Sequence, residues 1–469
     1  MGIFDVGIGW LGTVAFYAAA LLLVLTPVVF IHELGHFLVA RWCGVKVKDF
    51  SIGFGKEIFG FYDRYGTRWR FAWIPVGGYV KFMDDDNAAS FPSRENLDQL
   101  SPAEREGAFQ TKPLWARAAI VAAGPIANLL LAVLLFAGTY VAGVPAQRAL
   151  LAAPPANTPA AAAGIREGDL VVAADGATVR SWQDLRWRLL RASGSSEITI
   201  DVERPDGARA QRTVSLASVT GADWEGNFMP TLGFRTDLGP PLIDEALPDK
   251  PAARAGIRAG DRIVAIEGEP VRSPAEVAAK TNARPGSAVT FRIVRDGAER
   301  DVTLTTEVAE QAGRKVGIAG IRLKVDPVYA DRLAVTVRYG LVEALVQGTR
   351  KTWELAAFTV RMLGRILIGE ASLKNISGPI TLADFAGQSA QAGTLVFVGY
   401  LALISISLGV LNLLPVPLLD GGHLLYYFAE IVKGSPVSDR AFEVGQRIGM
   451  AMLAVLMALA LFNDLSRLF

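Results

Sequence analysis

His32-Glu33-Leu34-Gly35-His36 stands at the end of an apolar run, Val14 to Ile31, that carries no charged residue. Ionisable side chains at membrane depth are costly, and those that persist there usually work. On a helix, residues four apart lie on one face, so the two imidazoles can share a metal ion. Glu33, beside the first of them, can reach a metal-bound water. This is the arrangement of zinc hydrolases, set in a segment of hydrocarbon length. A structural pair of histidines in a helical core is the alternative. The third and last histidine, His423, follows Leu419-Asp420-Gly421-Gly422, so every histidine falls in one of two motifs.

Composition narrows the class. A chain of 469 residues with 51% hydrophobic content and a mean hydropathy of +0.32 is too apolar for an ordinary soluble protein, and a membrane protein with a soluble insert fits better. A net charge of +1 argues against a nucleic-acid footprint. The single cysteine, Cys43, excludes an internal disulfide and a thiolate zinc site, which leaves histidine and carboxylate as ligands.

Taken in order, the chain predicts a membrane core in two halves around a soluble insert. Residues 1 to 13 hold no Lys or Arg, so a cleaved signal peptide is not expected. The first span covers about 13–42, and its basic flank, Arg41, Lys46, Lys48 and Lys56, then Arg64, Arg68, Arg70 and Lys81, puts the amino end outside and the motif toward the cytoplasm. Residues 51–82 suggest a β-hairpin or sheet, with strand-like runs at Arg68 to Ile74 and Tyr79 to Phe82 around Pro75-Val76-Gly77-Gly78. Asp84 to Gly107 reads as an exposed loop. A second span at about 114–144 contains Gly124-Pro125 and Asn128, whose amide needs a partner inside the bundle.

The composition turns soluble between about Pro145 and Asp326, and a repeat appears. Pro159 to Asp169 matches Pro251 to Asp261, and Gly176 and Val179 keep step with Gly268 and Val271. A duplicated domain at 145–235 and 236–326 is expected. Region 327–392 alternates apolar and charged residues at helical spacing and predicts amphipathic helices on the membrane surface. The second half of the core, 393–469, carries spans at about 394–414 and 442–461. Between them, Asn412 and Asp420 bracket a proline-broken segment that suits a cavity lining.

These residues carry a family resemblance. His32 to His36, Gly124-Pro125-Ile126-Ala127-Asn128, the paired repeats and Asn412 to Gly421 together resemble the site-2 protease family of intramembrane zinc metalloproteases, in its bacterial regulator of sigma-E protease branch. The resemblance implies a four-transmembrane-helix α core with a membrane-associated β-hairpin or sheet and two inserted α+β PDZ-like domains. It implies one zinc ion on His32, His36 and Asp420, with Glu33 as general base. Asn412 would hold the substrate backbone or the oxyanion, or else pack against a helix. Gly77 and Gly78 would be the point of close approach to an extended substrate. His423 could support a ligand from behind or simply pack; Asn128 is a further candidate for such support.

Implied partners are single-span membrane substrates such as an anti-sigma factor or remnant signal peptides, peptide or C-terminus ligands of the PDZ-like pair, and the bilayer of the bacterial inner membrane. The pair would dock substrates or exclude bulky ones, and both chain termini would lie outside. A metal transporter and a non-catalytic PDZ scaffold are the alternatives. A transporter has no need of Glu33 beside the first ligand, and a scaffold need not keep a complete ligand set.

Overall fold

The computed structural model of the chain describes residues 3–84, 100–219, 224, 228–236, 238–311, 314–368, 377–435 and 437–468. It divides into two units, residues 1–143 with 338–469, and residues 144–337.

Among the described residues, the first unit holds four helices long and apolar enough to cross a membrane, Gly12–Trp42, Leu114–Ala142, Thr394–Asn412 and Arg440–Ser466. They lie within helices α1 (Ile3–Trp42), α2 (Leu114–Ala142), α5 (Thr394–Asn412) and α7 (Asp439–Leu468); the unit also contains α3 (Leu341–Leu367), α4 (Pro379–Gln391), α6 (Asp420–Lys433) and a short helix at Pro102–Glu106. At 1.5 Å per residue, even the 19 residues of α5 reach about 28 Å, close to the thickness of the hydrocarbon layer.

Small residues bring three of these helices into backbone contact. A Cβ added at Gly35 of α1 would stand 2.4 Å from the Ala123 carbonyl oxygen of α2. One at Gly409 of α5 would stand 3.0 Å from the Pro125 carbonyl oxygen and 3.4 Å from the Asn128 Cβ. Without the glycines these helices could not cross so closely. Helix α3 packs along α2 as well, with Gly348 against the Val133 carbonyl and Leu355 and Ala356 against the buried cluster of Ala132, Phe136, Ala402 and Ile406.

The segment expected as a β-hairpin or sheet is a small antiparallel sheet of two strands, with a pairing the sequence runs did not indicate. Strands β1 (Val47–Tyr62) and β2 (Arg68–Phe82) turn at Asp63–Thr67, where Asp63 Oδ1 accepts from the amides of Tyr65 and Thr67 and Gly66 takes a φ of 84°. The runs 68–74 and 79–82 do not face each other across Pro75 to Gly78. They flank β1: Phe50 is opposite both Val80 and Trp69, and Ser51 is opposite both Tyr79 and Arg70. The glycine pair carries β2 across rather than back. The Gly77 side faces the Phe54 ring, and a Cβ at Gly78 would meet Ser51 O at 2.8 Å and Glu33 Cγ at 2.9 Å.

Asp84 also departs from the sequence expectation. It is 1% exposed and accepts hydrogen bonds from the amides of Phe109 and Gln110, so it closes a buried turn instead of opening a loop. Residues 85–99 of that loop lie outside the described residues. Further on, the region in which amphipathic helices are expected also includes a strand, Ala334–Val337, paired with Val144–Gln147. That pair forms the two ends of the second unit.

The second unit is built twice. In the first copy the strand order is Ala177–Thr178, Leu170–Ala174, Glu197–Glu203, Arg209–Ser215, with helix Trp182–Arg191. The second copy repeats it with Glu269–Pro270, Arg262–Ile266, Ala288–Arg295 and Ala298–Thr305, with helix Pro274–Asn282, and extends it through Leu242–Ala246 and Ile321–Lys324. The matched turns agree in detail. Gly168 and Gly260 take φ values of 83° and 92°, which only glycine adopts freely, and Asp169 and Asp261 accept from the amides of Arg166 and Arg258. The two helices begin on the hydroxyls of Ser181 and Ser273, which accept from the amides of Asp184 and Glu276. The first copy continues to Thr236, which bridges back to Leu151.

Candidate metal centre

Helix α1 sets His32 and His36 one turn apart, and their Nε2 atoms lie 3.2 Å from each other. Helix α6 brings in the carboxylate from the far end of the chain. Its first residue is Asp420, whose Oδ2 lies 3.2 Å from His32 Nε2 and 3.6 Å from His36 Nε2. All three side chains are buried.

The local chain explains how Asp420 arrives. Helix α5 ends at Asn412, and the proline-containing segment to Leu419 folds back so tightly that a Cβ at Gly421 would stand 2.2 Å from the Leu414 carbonyl oxygen. A Cβ at Gly422 would stand 2.4 Å from that of Val416. Leu418 takes a φ of 84°, a conformation that costs a leucine energy and that tight turns at functional sites retain. Further along α6, Glu430 accepts from Arg117 of α2 at 3.1 Å, with the guanidinium over the Tyr427 ring. This half-buried pair ties the helix carrying Asp420 to the helix behind His36.

Donor chemistry and spacing fit zinc. For ligands about 2.1 Å from a tetrahedral ion, neighbouring donor atoms stand about 3.4 Å apart. The three observed separations, 3.2, 3.2 and 3.6 Å, bracket that value. Asp420 Oδ2 is buried and takes part in no hydrogen bond, which suits an atom reserved for a cation. His36 Nδ1 donates to the Ile120 carbonyl at 2.8 Å, so the lone pair of that ring lies on Nε2, facing inward.

The other sequence candidates fall at several places. Glu33 is half-buried and runs beside Gly78 of β2. Asn412 Nδ2 stands 3.3 Å from His32 Nε2, the atom of that ring that also faces His36 and Asp420. Asn128 is fully buried, its side-chain amide 3.2 Å from His32 Nδ1 on the outer side of that ring. His423 lies one turn along α6 from Asp420, its ring against those of Tyr426 and Phe442. Gly77 faces the Phe54 ring.

Sequence reasoning missed Gly124 and the Ile120 carbonyl. A Cβ at Gly124 would lie 2.2 Å from His36 Nε2, so the absent side chain is the space that the imidazole occupies. The Gly124-Pro125 pair in an apolar span was the available signal. It pointed to close helix approach, without saying what approaches.

Two imidazoles and a carboxylate around one point, with a second carboxylate next in sequence to the first imidazole, define a zinc hydrolase, here on a membrane-length helix. The sequence pattern of peptidase family M50 matches residues 20–456. The chain is 39% identical over 455 residues to the regulator of sigma-E protease of Escherichia coli, covering 96% of this chain and 98% of that one. It is 38% identical, with the same coverage, to the protein of that name in Salmonella typhi. A putative zinc metalloprotease of Ralstonia nicotianae is 40% identical over 464 residues, covering 96% of this chain and 98% of its own. The chain belongs to peptidase family M50, the site-2 proteases, and is an intramembrane zinc metalloprotease.

Proposed function

We propose that this protein holds one zinc ion on His32, His36 and Asp420 and hydrolyses peptide bonds inside the membrane segments of single-span proteins. The observation that carries this reading is the convergence of the three ligand atoms on one buried point beside Glu33. Zinc bound there supplies Lewis acidity toward the scissile carbonyl and toward water. Glu33 takes the proton from the attacking water and returns it to the leaving amine nitrogen. Asn412 donates its amide hydrogen to the substrate carbonyl oxygen as charge develops on it, a role supported by its 3.3 Å distance to His32 Nε2.

A membrane helix hides its peptide bonds in its own hydrogen bonds, so a substrate must unwind before it is cut. Tyr79–Phe82 of β2 pairs with β1 on one side and, among the described residues, with no strand on the other. An unwound substrate segment adds to that open edge as a further strand, entering past Gly77 and Gly78. Spans containing Gly, Pro or polar residues unwind at lower cost and are cut preferentially. The duplicated second unit acts as a PDZ-like pair that docks substrates or excludes bulky ones.

The family resemblance implies an anti-sigma factor as one substrate, cut second in a proteolytic cascade, and remnant signal peptides as another; the relatives' name, which refers to sigma-E regulation, is in keeping with the first. The basic residues after α1 support an inner-membrane protein with its active site toward the cytoplasm and its PDZ-like pair and both termini outside.

The test is cleavage of a helical single-span substrate by the full chain in liposomes, with zinc content measured alongside. Glu33→Gln is expected to keep wild-type zinc and to cleave about 10²–10⁴-fold more slowly. Wild-type cleavage by that variant would refute the role of Glu33.

A further inference from the structure

The zinc reading leaves one question open at His32. A metal held by Nε2 requires the ring hydrogen on Nδ1, and that hydrogen needs an acceptor. For His36 the acceptor is the Ile120 carbonyl of α2. For His32 the polar group at Nδ1 is the side-chain amide of Asn128, eight residues further along the same helix and two turns on.

We propose that Asn128 is a positioning residue for His32, accepting the Nδ1 hydrogen with its side-chain carbonyl and so directing the Nε2 lone pair toward Asp420 and His36. The two ends of an amide occupy nearly the same volume, and which end faces a neighbour follows from what that neighbour requires. With the nitrogen end toward His32, 3.2 Å from Nδ1, the ring hydrogen is forced onto Nε2, where it blocks metal binding. A half-turn of the amide brings the oxygen to Nδ1 and leaves both helices where they are.

The surroundings hold Asn128 for this task. Its side chain is fully buried, its backbone carbonyl accepts from Ser405 Oγ of α5 at 2.8 Å, and Gly409 lets α5 close over its Cβ. Helix α2 therefore supplies the hydrogen-bond acceptor for each ligand ring, one from its backbone and one from a side chain.

The proposal rests on the zinc reading, and its test separates the two. Zinc affinity is measured by chelator competition on the purified full chain for wild type, Asn128→Leu and Asn128→Asp. The aspartate variant keeps an acceptor and the leucine variant keeps only the bulk. Asn128→Leu is expected to bind zinc about 10- to 100-fold more weakly, and Asn128→Asp within about threefold of wild type. Unchanged affinity in Asn128→Leu, or equal losses in both variants, would overturn the proposal.

Should Asn128→Leu fail to fold, ¹⁵N-histidine spectra of the zinc-loaded wild type decide instead. His32 is expected to carry its hydrogen on Nδ1, and a bare Nδ1 overturns the assignment. Wild-type protein that binds no zinc refutes the metal site itself, and with it the role of Asn128.

Discussion

Asp420 in the membrane unit and Asp261 in the duplicated unit are both buried carboxylates, 8% and 1% exposed, and each stands at a turn stabilised by glycines. Asp261 is fully committed to the chain. Both its oxygens accept from Arg295 at 2.7 Å, and Oδ2 also accepts from the Arg258 amide. Asp420 faces two imidazoles, and its Oδ2 takes part in no hydrogen bond. A buried carboxylate costs free energy unless it is matched. Asp261 is matched by an arginine within its own fold, whereas Asp420 has an oxygen free for a cation from outside. The difference separates a carboxylate that builds structure from one that is available for chemistry.

The comparison breaks most visibly at Asp420. Asp420→Ala is expected to weaken zinc binding by more than about 100-fold, beyond what loss of a supporting group causes, and to reduce cleavage to background. Zinc content and cleavage of a helical substrate, measured on the same preparation, check this.

Gly124→Ala probes the same centre without touching a ligand. The added methyl would stand 2.2 Å from His36 Nε2 and must displace the ring or the helix. Zinc affinity is expected to fall by about 10- to 100-fold, while the second unit keeps its thermal transition. Chelator competition and calorimetry read the two parts separately.

Asp261→Asn gives the opposite signature. Removing one partner from the buried Arg295 pair is expected to destabilise the second unit by about 3 kcal/mol, with zinc affinity unchanged. A change in zinc affinity would erase the distinction drawn between the two aspartates.

The smallest effect is one of pH. Burial opposes ionisation of Asp261, but the Arg295 hydrogen bonds and the Arg258 amide outweigh it and hold the carboxyl below its ordinary value. Its contribution to stability is therefore complete above about pH 4, the value for an unfolded aspartate, and is lost as the pH falls through the lower folded value. Acid unfolding of the second unit should shift to higher pH in Arg295→Met.

How much of this could be read in the sequence depends on the distance over which each feature is set. The four apolar spans, the histidine pair and the repeat turns are local patterns, each set by residues close together in the chain. The paired flanks of β1 were not legible, because Phe50 meets residues at two separations along the chain, Trp69 and Val80. Asp84 looked like the start of a loop because its partners, the amides of Phe109 and Gln110, carry no side-chain signal. The Arg117 to Glu430 pair joins residues 313 apart in the chain, and nothing near either one announces the other. Gly124 was visible as a small residue in a span, but its purpose depends on where α1 puts His36.

X-ray absorption at the zinc edge tests the central claim most directly, because it reads the atoms bound to the metal. The wild-type chain is expected to show one zinc with two imidazole nitrogens and a carboxylate oxygen, and Asp420→Ala to lose the carboxylate together with most of the metal. A zinc environment identical in wild type and Asp420→Ala would contradict the account.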